Sequence, residues 1–401
     1  MNREIPQSWK LRVLGELMED VRAGFACGED VENGIVQIRM NNITREGTFD
    51  WGKLRRVPLT YKKMHELLVE SGDLLFNCTN SPELVGKCAH FVEFSEPVTF
   101  SNHFIRLRPN PVMANSGYLG RWINLLWSHG RFAGMCRQWV NQASISKDQL
   151  LDLSLPLPPL PEQRRIAAIL DHADAVRAKR RRALALLDGL TQAIFLDMFG
   201  DPAINDRQWP IVKISDLLSS TQYGTSKKAG LIGAFPIIRM NNIDYSGRFD
   251  FTDLKYIDLE RSETDRFLVR NGDILFNRTN SPELVGKTGV FRSSIPMAYA
   301  GYLIRLRVNE HADPEYISGF LNSTFGKITL RCMCKSIIGM ANINAKEVQT
   351  IKIPCPPLPL QRQFSSRAAA VERLKSAQRA SLAKLDSLFA SLQHRAFRGE
   401  L

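Results

Sequence analysis

A stretch of sequence that returns about 200 residues later in constant register limits this chain to one kind of architecture, a unit built twice. Ile38-Arg39-Met40-Asn41-Asn42-Ile43 recurs as Ile238-Arg239-Met240-Asn241-Asn242-Ile243. Gly72-Asp73-Leu74-Leu75-Phe76-Asn77 recurs as Gly272-Asp273-Ile274-Leu275-Phe276-Asn277. Asn80 to Lys87, reading Asn-Ser-Pro-Glu-Leu-Val-Gly-Lys, is repeated letter for letter at Asn280 to Lys287. Trp9 corresponds to Trp209, and the Ile-Arg-Leu-Arg run at Ile105 to that at Ile304. Leu157-Pro158-Pro159-Leu160-Pro161-Glu162-Gln163-Arg164 corresponds to Cys355-Pro356-Pro357-Leu358-Pro359-Leu360-Gln361-Arg362, so no stretch is left for a third domain.

Each copy divides at its proline cluster. Before it lie short alternating or apolar runs, such as Ile35-Val36-Gln37-Ile38, broken by Gly, Asn and Pro turns. That pattern predicts a compact α+β domain with a mixed or antiparallel sheet. After it, about Glu162 to Phe199 and about Leu360 to Phe397 read as long helical arms. The first arm offers a heptad stripe of Ile166, Ala173, Leu187 and Ile194 with Ile169, Val176, Ala183 and Leu190. The second offers Val371, Leu374, Leu385, Leu388 and Leu392. Neither arm buries its stripe alone, so the expected arrangement is an antiparallel coiled coil with Arg180 near Gln378. The expected boundaries are 1–155 and 201–353 for the two domains, 156–200 and 354–401 for the arms.

Composition narrows the function. The net charge of +12 sets the sign of a polyanionic partner. No run approaches the roughly 18 apolar residues of a membrane span, and the N-terminus lacks a signal-peptide core. A cytoplasmic protein is expected. The seven cysteines are irregularly spaced, with no Cys-x-x-Cys pair, and read as free thiols with no metal site. The ending Gly286-Lys287-Thr288 looks like a phosphate loop, but Ser281 stands where its first glycine belongs and the other copy ends Gly86-Lys87-Cys88. No catalytic constellation appears: there is no glycine-rich cofactor loop, the seven histidines share no repeat position, and Asp253-Leu254-Lys255 lacks its carboxylate in the other copy.

Asn pairs with adenine, Arg with guanine, and Lys with phosphate, so the repeated loop and its approach suit DNA. The candidates in the first copy are Arg39, Asn41, Asn42, Asn77, Thr79, Asn80, Ser81 and Lys87. Those in the second are Arg239, Asn241, Asn242, Asn277, Arg278, Thr279, Asn280, Ser281 and Lys287. The competing reading is that Asn and Ser merely build turns and that Gly-Asp starts a strand. The basic run Arg177, Lys179, Arg180, Arg181 and Arg182 is read first as a solvated helix face, with DNA phosphates or a partner's acids as alternatives.

Leu155-Pro156-Leu157-Pro158-Pro159-Leu160-Pro161-Glu162-Gln163, leading into a long helix, resembles the domain–helix junction of type I restriction–modification specificity subunits. Gly72-Asp73-Leu74-Leu75-Phe76 with Gly86-Lys87 resembles the core of their target-recognition domains. Ala396-Phe397-Arg398-Gly399-Glu400-Leu401 is similar to the family's close, and Met198-Phe199-Gly200-Asp201-Pro202 to its mid-chain equivalent. The resemblance implies two recognition domains related by a pseudo-twofold, each reading one half of a bipartite site in double-stranded DNA. It implies a scaffold for two methyltransferase subunits and, in the restricting form, translocase–nuclease restriction subunits. S-adenosylmethionine, ATP and magnesium would belong to those partners, leaving this chain without a cofactor. Arms of about 35 residues make rods of about 50 Å, near 15 base pairs, the order of two half-sites and a gap. Because the copies share a long segment before diverging at Tyr118 to Gln142 against Tyr316 to Gly339, the half-sites are expected to repeat partly in inverted orientation. Three alternatives stay open: a methyltransferase or nuclease with a divergent site, a coiled-coil protein without a DNA role, and a specificity subunit of a related single-partner system.

Overall fold

Proline and glycine punctuation in each copy produces nearly the same set of short strands. The computed structural model describes residues 6–58, 64–139, 142–281, 283–337 and 340–401. Contacts divide it into two units, Met1–Arg180 with Ser381–Leu401, and Arg181–Ala380.

In the first unit a four-stranded antiparallel sheet runs in the order Met18–Ala23, Phe104–Pro109, Leu74–Asn77, Cys88–His90. A second sheet orders Arg56–Val57, Ile35–Ile38 and Val98–Phe100, the last pair being parallel. A small sheet joins Thr79–Asn80 to Gln142–Ser144 and Arg137–Trp139. Lys10–Val13 pairs with Ser154–Leu157, bringing the two ends of the domain together. The expected mixed α+β domain is therefore found.

The second unit repeats the plan. Its main sheet orders Leu218–Tyr223, Leu303–Val308, Ile274–Asn277 and Thr288–Val290. Thr279–Asn280 again pairs with a hairpin, Lys335–Ile337 and Met340–Asn342, and Ile211–Lys213 with Lys352–Pro354. The second sheet differs by one strand, Leu268–Val269, added beside Met297–Tyr299.

The central strands are buried along every residue because both faces are covered. On one face of the first unit Leu74 and Phe76 join Tyr118, Leu119 and Phe132. On the other, Leu75 joins Val36, Ile38 and Phe100. At the strand's start the Gly-Asp pair is structural: Gly72 has a φ of 95°, and Asp73 is almost wholly buried. The Asp73 carboxylate accepts two bonds of 2.8 Å from the Arg108 guanidinium and one of 2.7 Å from the Glu70 amide. Asp273 holds Arg307 and the Arg270 amide in the same way.

The arms are helices over Leu160–Phe199 and Leu358–Ala396. They begin two residues ahead of the expected starts, since a proline in the first turn lacks only an N–H that has no helical partner. The glutamine of each junction explains why that motif is fixed in the repeat. Gln163 is buried; its Oε1 accepts from the Asn115 amide at 2.7 Å and its Nε2 donates to Pro158 O at 2.8 Å. Gln361 makes the same bonds to the Asp313 amide, at 2.9 Å, and to Pro356 O, at 2.8 Å. One amide thus ties the helix start to the domain.

The heptad expectation needs correction. Leu190, Leu374 and Leu388 are 37%, 50% and 53% exposed, whereas Phe195, Phe199, Phe364 and Phe389 are buried. Each arm changes its burying surface along its length, because its ends pack into domain cores. Phe397 packs on Tyr118 with centroids 5.1 Å apart, and Phe199 on Tyr316 at 4.8 Å. Within the first unit the arm segments meet through Arg177 and Asp386, at 2.7 Å, and through Arg165 and the Leu401 carbonyl, at 2.9 Å. Within the second, Lys375 meets Asp188 at 3.2 Å and the Phe195 ring meets Phe364 at 5.5 Å.

Candidate nucleic-acid interface

The repeated loop is closed at its base and braced from inside. The Asn77 amide donates to Lys87 O and the Gly86 amide to Asn77 O, both at 2.8 Å, with the same pair at Asn277, Gly286 and Lys287. Gly86 and Gly286 have φ of 95° and 78°, which only glycine adopts freely. A Cβ there would lie 2.4 Å from Phe132 or 2.6 Å from Leu330, so helical side chains seal the turn.

This closure decides where the candidate side chains go. Lys87 is buried, with Nζ donating to Ile43 O at 2.5 Å, and Lys287 donates to Met240 O at 2.8 Å. Burial lowers the pKa of both. The resemblance to a phosphate loop ends here, since each lysine is spent on a backbone carbonyl. Asn42 and Asn242 are buried turn-formers: each Oδ1 accepts from the amide of Arg39 or Arg239, and each Nδ2 donates to two carbonyls. Asn77 is buried, bonded to His103 O at 3.1 Å and to Asn80 Nδ2 at 2.6 Å; Asn277 is buried as well. Asn80 and Asn280 hold the Ser81 and Ser281 amides through Oδ1.

Four of the other candidates line one cleft in the second unit. This cleft of about 630 Å³ is lined by Arg239, Asn241, Arg278 and Thr279, all expected from sequence, together with Lys227 and Asn342. Arg239 is held by Asp253 at 2.9 Å, and Lys227 by Glu263 at 2.5 Å. Arg278 has no carboxylate partner among the described residues; its Nη2 donates to Asn342 Oδ1 at 3.2 Å. In the first unit Asn41 is exposed, while Arg39, Thr79, Asn80 and Ser81 are partly exposed. Asn342 escaped the sequence reading because it reaches the cleft by strand pairing with Thr279, 63 positions away in the chain as 342 − 279. Lys227 escaped it because its segment is not part of the matching repeat.

The basic run of the first arm is partly committed. Arg177 bonds Asp174 at 2.8 Å and Asp386 at 2.7 Å, and lies over the Phe389 ring. Asp253, of the Asp253-Leu254-Lys255 run, is the partner of Arg239. Among the described residues no group of three His, Cys, Asp or Glu could hold a metal, and no helix is long and apolar enough to cross a membrane.

A family model for the type I restriction modification DNA specificity domain matches residues 6–184 and again 207–384. The chain is 26% identical to the type I restriction enzyme EcoKI specificity subunit of Escherichia coli K12, covering 99% of this chain and 90% of that protein. It is 23% identical to the StySPI specificity subunit of Salmonella potsdam, covering 100% and 91%. The fold is similar to a chain solved in work on assembly and conformational transition of the type I R-M system, with TM-score 0.58 at 19% identity over 100% of both chains. The S subunit of the type I system of M. genitalium gives the same TM-score, 0.58, at 14% identity, covering 99% of this chain and 97% of that one. With one fold written twice and the family model matching both copies, the chain belongs to the type I restriction–modification DNA specificity family.

Proposed function

We propose that each unit reads one half of a bipartite site in double-stranded DNA and that the arms set the unread spacer between the halves. The carrying observation is the cleft, where guanidinium, amide and hydroxyl groups converge beside a braced loop. As a member of a DNA specificity family the chain supplies sequence selection to a type I system. In this reading it performs no chemistry. S-adenosylmethionine, ATP and magnesium act on methyltransferase and restriction subunits, two of each in the restricting form.

The arms form an antiparallel coiled coil relating the recognition domains by a pseudo-twofold. Helices of 40 and 39 residues give rods of about 60 Å, longer than the sequence estimate.

Because the two domains share their loop, the half-sites partly repeat in inverted orientation. Co-expression with the neighbouring methyltransferase, followed by mapping of modified adenines, tests this. Paired half-sites sharing several inverted positions are expected; two unrelated half-sites would refute it, and absence of any sequence-defined modification would refute DNA reading itself.

A further inference from the structure

The duplication supplies an internal control for the cleft. From Gly72 to Lys87 and Gly272 to Lys287 the two copies differ at only two positions, Leu74 against Ile274 and Cys78 against Arg278. The first is a conservative core exchange. The second replaces a buried thiol with a guanidinium at the cleft wall.

The backbone does not require the arginine. In both copies this residue's amide donates to the residue before the long central strand, Cys78 to His103 O at 2.9 Å and Arg278 to Tyr302 O at 3.0 Å. In both, its carbonyl accepts from the hairpin, from Ile145 and from Ile343, each at 2.9 Å. The next residue, Thr79 or Thr279, pairs with Ser144 or Asn342 in the same register. The first copy builds this framework around Cys78, so Arg278 is not there to hold the sheet.

Its surroundings instead fix a donor fork. The guanidinium carbon lies 4.8 Å from the Tyr223 ring centroid, and the Tyr223 hydroxyl is itself anchored by accepting from the Ala345 amide at 2.9 Å. Nη2 bonds Asn342, while Nε is buried without a partner. The first copy has Ala23 where Tyr223 stands and Ser144 where Asn342 stands, by strand register. Stacking platform, amide partner and arginine therefore occur together in the second copy. A stacked, oriented guanidinium that keeps Nη1 and the second Nη2 hydrogen for a ligand, with no carboxylate partner among the described residues, matches the O6 and N7 acceptors of guanine.

We propose that Arg278 sets one base of the half-site read by the second unit, selecting guanine, and so makes the two half-sites differ there. This rests on the DNA-reading function proposed above. The test uses the full chain in complex with its methyltransferase. Binding is measured by competition against duplexes carrying the mapped site, with each base substituted in turn across both halves. Arg278→Cys, which imports the first copy's residue, is expected to lose discrimination for guanine at one position of the second half-site by roughly 10- to 100-fold. Every position of the first half-site and the melting temperature stay unchanged. Arg278→Met keeps most of the stem but has no donor, so it shows the same loss and carries the test if the cysteine variant folds poorly.

Equal weakening on all duplexes would make Arg278 a phosphate contact and overturn the assignment, as would unchanged preference at every position. If the wild-type complex shows no base preference anywhere, the DNA-reading function falls first and the assignment with it.

Discussion

Lys327 shows how a single side chain records the balance within the second unit. It is buried, donates to Gly286 O at 3.1 Å, and lies over the Tyr245 ring. Burial first, then Lys287 and Arg331, push its pKa down to about 8 from 10.5. Between those values the unfolded chain holds the proton and the folded chain does not, so stability rises with pH across that window. Below about pH 8 the full penalty of burying the charge is present. Denaturant unfolding of wild type and Lys327→Met at pH 7 to 10 should show wild type gaining relative to the variant above pH 8, by on the order of 3 kcal/mol at most. Parallel pH curves would contradict this. At the same scale, the candidate residues divide by burial. Sequence placed Asn42, Asn77 and Lys87 in the right neighbourhood, but only the fold turns them inward. Amides and lysines have the same chemistry for a carbonyl as for a nucleic acid, so residue type could not separate the two uses.

At the scale of elements, the braced loop makes a sharp comparison between glycines. Gly286 has φ of 78° with Leu330 2.6 Å from a would-be Cβ, whereas Gly272 has φ of 90° with nothing within 4 Å. Gly272→Ala should cost only the left-handed backbone penalty, about 1–2 kcal/mol. Gly286→Ala should add crowding, for a total of about 2–5 kcal/mol. Thermal or denaturant unfolding checks the order, and equal costs would mean that Leu330 yields freely. The arms carry the complementary lesson. Their presence and, to within two residues, their starts were legible from proline placement and an uninterrupted run without breakers. Their buried faces were not: a helix whose ends enter two cores does not keep one heptad stripe, and Phe195, Phe364 and Phe389 mark where the domains override it.

For the whole molecule, the charge of +12 makes a kinetic and thermodynamic claim. Binding of the complex to its mapped duplex should weaken by on the order of 100-fold between about 50 and 200 mM salt, as roughly four neutralised phosphates require. An affinity flat with salt would remove the electrostatic part of the reading. Sequence by itself determined the duplication, the order of domain and arm, and the mixed sheet, because repeats, breakers and alternation are local patterns that survive in one dimension. It also placed Arg239, Asn241, Arg278 and Thr279 among the candidates. Only the tertiary structure joined these four to Lys227 and Asn342 in one cleft, and spent Lys87 and Lys287 on carbonyls. The reason is physical: strand pairing sets which distant residues meet, and burial sets which polar groups must be satisfied from within.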